Sequence, residues 1–222
     1  MAIFDLKKFI LDLLFPIECL GCKQEGEWLC PKCLKKIGID FSGRPFVPDL
    51  GGELRGVWVA SDYKNPLLAQ TLQVFKYKFI PDLGQILGRL LTDFLKYKIK
   101  NKELPDFDLV LAVPLAKKRK LWRGFNQAEI LARAVCRELG REYGDKIINR
   151  KFHVHPQVGL KLAQRLVNVK DIFTVNDELK VENKKILLVD DVVTTGATMN
   201  ECAKALVLAG AKEVWGLVVA KG

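Results

Sequence analysis

Ile186-Leu187-Leu188-Val189-Asp190-Asp191-Val192-Val193-Thr194-Thr195-Gly196-Ala197-Thr198 is the stretch on which the fold turns. Its first four residues have the composition of a strand buried on both faces. They deliver two carboxylates, Asp190 and Asp191, to the strand end, directly ahead of a Thr/Gly-rich turn and a helical period over 197–209 closed by Gly210. Backbone N–H groups of Thr195, Gly196, Ala197 and Thr198 then stand at a helix N-terminus, where unfilled donors and the helix dipole favour a phosphate. Gly196 permits close backbone approach, and the hydroxyls of Thr194, Thr195 and Thr198 add donors. Paired acids beside such a turn accept hydrogen bonds from vicinal sugar hydroxyls, so the segment predicts a ribose 5-phosphate site. A helix cap needs one such residue; here six occur together. No Gly-Lys-Ser/Thr ending of a Walker loop and no Gly-x-Gly-x-x-Gly dinucleotide fingerprint is present. A receiver domain carries its paired acids on its first strand, not near the C-terminus.

Outward from this segment, short apolar runs alternate with amphipathic helical periods. Strands are expected over 57–60, 108–113, 145–149, 185–190 and 213–219. Helices are expected over 66–78, 83–99 and 126–139, the last stopped by Gly140. This alternation predicts an α/β class, a mostly parallel sheet with helices on both faces. Such sheets bind ligands outside the carboxyl ends of their strands. A second unusual loop, 114–125, reaches that edge carrying Lys117, Lys118, Arg119 and Lys120. Its charge suits a diphosphate leaving group or a nucleic acid, or forms a solvated basic turn. Residues 150–165 lack a period, contain His153 and His155, and are expected as an irregular excursion. In Phe75-Lys76-Tyr77-Lys78-Phe79, helical spacing places Phe75 and Phe79 in the core with Leu72 and leaves the lysines solvated. The interleaving of rings and cations would also suit stacked bases.

The N-terminal part differs in kind. Apolar residues at 3, 6, 10, 13 and 14 trace a short amphipathic helix ended by Pro16. Cys19-x-x-Cys22 and Cys30-x-x-Cys33 follow, two knuckles able to converge on one tetrahedral Zn2+; a redox pair or a four-sulfur iron site has the same spacing. A closed four-thiolate site leaves no coordination position for catalysis. Residues 38–54 are Gly/Pro-rich and connect to the main domain, giving the divisions 1–37, 38–54 and 55–222. Cys136 and Cys202 lie on apolar helix rows and are expected as buried small hydrophobes.

The 222-residue chain with 49% hydrophobic content supports a full core and excludes a disordered protein. Its 36 Lys and Arg against 26 Asp and Glu favour polyanionic or phosphorylated ligands. No apolar run is long enough to cross a bilayer, and no secretory layout opens the chain, so membrane insertion is not expected and a cytoplasmic setting is.

The strand, acid pair and Thr-Thr-Gly-x-Thr turn resemble the phosphoribosyl diphosphate (PRPP) signature of type I phosphoribosyltransferases. The resemblance implies that Asp190 and Asp191 contact the ribose hydroxyls and that Thr194, Thr195, Gly196, Ala197 and Thr198 cradle the 5-phosphate. It also implies Mg2+ held mostly by ligand oxygens, with Lys117, Lys118 and Arg119 at the diphosphate. Arg123-Gly124-Phe125-Asn126-Gln127, with Gln157, Leu160, Arg165, Asn168, Val169 and Phe173 and the cysteine module, resembles the competence-associated ComF family, GntX-like proteins included. That resemblance implies an accessory of DNA uptake in natural transformation, acting with single-stranded DNA, a competence helicase and other uptake proteins. The alternative is an active phosphoribosyltransferase of nucleotide salvage or metabolism; no residue is assigned a catalytic role, and no base-reading hood is evident over 38–80.

Overall fold

The computed structural model describes residues 16–48, 52–78, 80–151 and 172–222. Within these, α1 (Pro31–Ile37) belongs to the cysteine module, followed by β1 (Leu54–Asp62), α2 (Pro66–Tyr77) and α3 (Asp82–Lys100). Next come β2 (Leu109–Ala112), α4 (Lys117–Arg123), α5 (Gln127–Leu139), β3 (Glu142–Tyr143), β4 (Ile148–Arg150) and β5 (Phe173–Val175). The chain closes with β6 (Lys185–Val193), α6 (Ala197–Leu208) and β7 (Glu213–Lys221). The expected helix over residues 3–14 and most of the 150–165 excursion lie outside the described residues, as do His153 and His155.

Five strands form one parallel sheet in the order β1-β7-β6-β2-β3. β6 is central, which is why Ile186, Leu187, Leu188 and Val189 are all fully buried. Strand alternation divides them. Leu187 and Val189 join the cluster built on Leu68, Phe75, Phe94 and Leu131 of α2, α3 and α5, whereas Ile186 and Leu188 pack with Met199, Cys202 and Leu206 of α6. Helices thus cover both faces, as a parallel sheet requires.

Two sequence expectations are corrected. The strand expected at 145–149 is reduced to Ile148–Arg150 and lies outside the main sheet: β4 pairs antiparallel with β5, and Glu142–Tyr143 takes the parallel edge. Lys146 at φ +57° turns the chain between them, so no single strand runs through. The basic loop at 114–125 contains the seven-residue helix α4, ended by Gly124 at φ +74°.

The cysteine module is not set apart from this domain. Cys19, Leu29, Cys30, Cys33 and Ile37 belong to the same buried cluster as Trp58, Leu68 and Phe94. Asn65 ties the two together: its Oδ1 caps α2 by accepting from the N–H groups of Leu67 and Leu68, while its Nδ2 donates to the carbonyls of Lys36 (2.8 Å) and Ile37 (3.0 Å). Lys98 anchors the connector. Fully buried on α3 among the rings of Trp58, Phe94 and Tyr97, its ammonium donates to the Gly43 carbonyl at 3.0 Å and to Glu103 at 2.5 Å.

Candidate functional site

β6 runs past its acids to Val193 because β7 stays paired with it as far as Lys221. Val193 leads through Thr194 and Thr195 to Gly196, which caps α6 at φ +83° in the left-handed region. That conformation and the space both require glycine: a Cβ here would lie 2.6 Å from Cγ of Pro48. Asp190, Thr194, Thr195, Gly196, Ala197 and Thr198 line one cavity of about 80 Å³ at the carboxyl end of the central strand. Its volume would admit a phosphate-sized group, and a helix N-terminus of this kind favours an anion.

The two acids have different surroundings. Asp190 is half-buried and lines that cavity, with its Oδ1 accepting the backbone N–H of Asp191 at 2.8 Å. Asp191 is buried, and its Oδ1 lies 3.0 Å from Nζ of Lys76 on α2. Burial first, then the negative charge of Asp191, pushes Asp190 up to about 8; the Asp191 N–H, Lys76 and Arg123 pull it back only in part. The two acids therefore differ: Asp191 is paired with a lysine, whereas the Asp190 carboxyl is pushed toward holding its proton near neutrality.

Arg123 and Gln127, which bracket the Arg-Gly-Phe-Asn-Gln run, are also buried. Arg123 Nη1 donates to Gln127 Oε1 at 3.2 Å, whereas Arg123 Nε and Gln127 Nε2 have no hydrogen-bond partner among the described residues. Asn126 accepts the N–H of Ala128 to open α5 and donates to the Val113 carbonyl at the end of β2. Phe125 packs on Phe75 with ring centroids 5.7 Å apart. The run thus supplies a turn, a helix cap, a core ring and two buried donors beside the acids.

Lys117, Lys118, Arg119 and Lys120 are exposed on α4. They do not join the acid cavity; Lys117 and Lys120 line a separate space of about 300 Å³ over the carboxyl ends of β2 and β3, with Arg150 on its wall. Burial first, and then the nearby Arg119 charge, lowers the Arg150 guanidinium below its usual range. Two close guanidiniums of this kind favour an anion between them. Sequence reasoning missed Arg150, which falls in an aperiodic stretch, and misread Lys76 as solvated. No local pattern marks Lys76: its role depends on α2 crossing the end of β6.

The four cysteine sulfurs at 19, 22, 30 and 33 lie within 4.8 Å of one another. Gly21 sits between the first pair because a Cβ there would meet Cys33 Sγ at 2.7 Å. Burial acts to raise the Cys19 thiol, but hydrogen bonds from the backbone at Cys30, Cys22 and Gly21 outweigh it and bring it down to about 6. Burial, reinforced by the other three sulfurs, pushes Cys33 up to about 12. Crowded sulfur ligands with backbone donors directed at them fit a tetrahedral thiophilic ion. Cys136 and Cys202 are buried as expected, each thiol raised chiefly by burial. No helix among the described residues is long and apolar enough to cross a membrane.

Residues 123–221 match the phosphoribosyl transferase domain. The chain is 29% identical to competence protein F of Haemophilus influenzae, covering 91% of this chain and 97% of that one. It is 35% identical to DNA utilization protein YhgH of Salmonella typhi, covering 89% and 86% respectively. Among solved structures, adenine phosphoribosyltransferase overlaps 68% of this chain and 75% of its own, at 14% identity and a TM-score of 0.41.

Proposed function

The chain belongs to the competence protein F (ComF) family, and from that premise we propose that it binds PRPP or a related ribose phosphate with Mg2+ while serving DNA uptake in the cytoplasm. The observation that carries the ligand is the shared cavity of Asp190 with Thr194, Thr195, Gly196, Ala197 and Thr198. In this reading the turn holds the 5-phosphate and the acids take the ribose hydroxyls. Mg2+ rides on the ligand's own oxygens and waters, as suits an ion that dehydrates reluctantly. Lys117, Lys118 and Arg119 meet the diphosphate, joined by Arg150 across the neighbouring space. Zn2+ fills the four-cysteine site as a structural ion. The DNA role rests on the relatives' names, competence protein and DNA utilization protein, and on a chain with 36 basic against 26 acidic side chains; single-stranded DNA and a competence helicase are the partners it implies.

Titration calorimetry with Mg-PRPP tests the ligand, and a diphosphate-release assay across nucleobases tests the chemistry. Binding is expected for the wild type and its loss for Asp191→Asn. Absence of heat with Mg-PRPP and with ribose 5-phosphate would overturn the reading. Diphosphate release with any base would move the protein to the alternative, a working phosphoribosyltransferase.

A further inference from the structure

One pair of exposed rings beside the acid pair is given no role by the ribose-phosphate reading. Tyr77, at the last turn of α2, is 51% exposed, and Trp122 of α4 is 56% exposed. Their ring centroids are 5.9 Å apart with planes at 57°, and the Arg123 guanidinium lies 5.2 Å from the Tyr77 ring. Leu121 extends the patch at 74% exposed. Rings and aliphatic groups left in water together mark a contact surface rather than a core.

The position and the charge of this patch identify its ligand. Lys76, next in sequence to Tyr77, reaches inward to Asp191, so the ring pair stands at the rim of the ribose-phosphate site. Five of the seven residues of α4 are cationic, Lys78 follows Tyr77, and neither 75–78 nor 114–128 contains an acid. Protein-binding surfaces deplete charge around their aromatic centres. Here the rings are surrounded by cations, the arrangement that stacks bases while neutralising phosphates. A duplex keeps its base faces covered, so only an unpaired strand offers them.

We propose that Tyr77 and Trp122 form a base-stacking platform for single-stranded nucleic acid, with the cations of α4 following its phosphates along the rim of the site. This deepens the DNA half of the proposed function and rests on it. Bases stack on either ring irrespective of sequence, and the strand crosses in front of the acid cavity, so strand and ribose phosphate meet at neighbouring surfaces.

The test uses the full chain with a labelled 20-nucleotide oligo(dT), read by fluorescence anisotropy and by tryptophan quenching, with Mg-PRPP titration of each variant alongside. The wild type is expected to bind oligo(dT). Tyr77→Ala/Trp122→Ala is expected to bind it about 10-fold or more weakly with its Mg-PRPP affinity unchanged. Trp122→Phe, which keeps a ring, is expected to retain most of the affinity and to lose the quenching, because Trp28, Trp58 and Trp215 are more buried. Equal oligo(dT) binding by the double variant, or undiminished quenching in Trp122→Phe, overturns the platform and leaves the DNA role standing. Equal binding of a duplex of the same length overturns the single-strand assignment. Absence of any DNA binding by the wild type overturns the platform and the DNA half of the proposed function together, leaving the Mg-PRPP result to judge the other half.

Discussion

Nζ of Lys76 lies 3.0 Å from Oδ1 of Asp191, so a helix from the first half of the chain supplies the counter-charge for an acid pair in the second. The carboxylate side chain is 9% exposed and the lysine 21%, which puts the pair well short of full solvent screening. Lys76→Met leaves Asp191 and Asp190 facing each other without that charge. It is expected to cost about 1–3 kcal/mol of stability in urea unfolding, with most of the loss recovered in Lys76→Met/Asp191→Asn. Equal losses in the single and double variants would show that the pair contributes nothing.

Asp190 gives a pH signature. Its carboxyl titrates near 8 in the folded protein, against about 3.9 in an unfolded chain. Between those values the folded state keeps a proton that the unfolded state has released, so stability falls as pH rises through the window. The limit is about 1.4 kcal/mol per pH unit for one proton. Melting temperature measured from pH 5 to pH 8 is expected to decline in the wild type and to decline less steeply in Asp190→Asn.

Because the thiol cluster is continuous with the domain core through Cys19, Cys30 and Cys33, metal loss is expected to reach beyond the module. Cys33→Ser should abolish a stoichiometry of one Zn2+ per chain, measured by elemental analysis, and lower the melting temperature of the whole chain in a single transition. A separate low-temperature transition, with the main one unmoved, would show the module to be energetically independent.

Gly196 and Gly124 have similar backbone angles, φ +83° and +74°, but a Cβ at Gly196 would press on Pro48 while one at Gly124 would meet nothing within 4 Å. Gly124→Ala is therefore expected to cost the left-handed strain alone, about 1 kcal/mol. Gly196→Ala should cost more, about 2–3 kcal/mol, because Pro48 must also move. Urea unfolding measures both, and Mg-PRPP titration should weaken only for Gly196→Ala.

The basic run of α4 predicts a salt effect. For oligo(dT) bound to the chain, replacing Lys117, Lys118, Arg119 and Lys120 by Ser should reduce the slope of log K against log salt by up to about 3, about 0.7 for each phosphate no longer neutralised. An unchanged slope would place the phosphates elsewhere.

Local sequence carried the site unevenly. Asp190 to Thr198 announced a strand-to-helix turn at Gly196 because acids, hydroxyls and a left-handed glycine act through their own backbone neighbourhood. The knuckles were equally readable, since two tight Cys-x-x-Cys turns constrain their own sulfurs. Lys146 defeated the strand expected at 145–149 because a left-handed turn at a non-glycine residue leaves no compositional mark.

The sequence by itself determined the α/β class, the turn at Gly196, the four-cysteine cluster and the burial of Cys136 and Cys202, all consequences of spacing along one strand, helix or turn. Tertiary structure alone decided that Lys76 neutralises Asp191, that Arg150 stands near Arg119, that Tyr77 meets Trp122, and that Asn65 fastens the cysteine module to the domain. These are pairings between elements distant in the chain. Their partners are chosen by the order of strands in the sheet and by which helix crosses which strand end, and no periodicity within either segment encodes that choice.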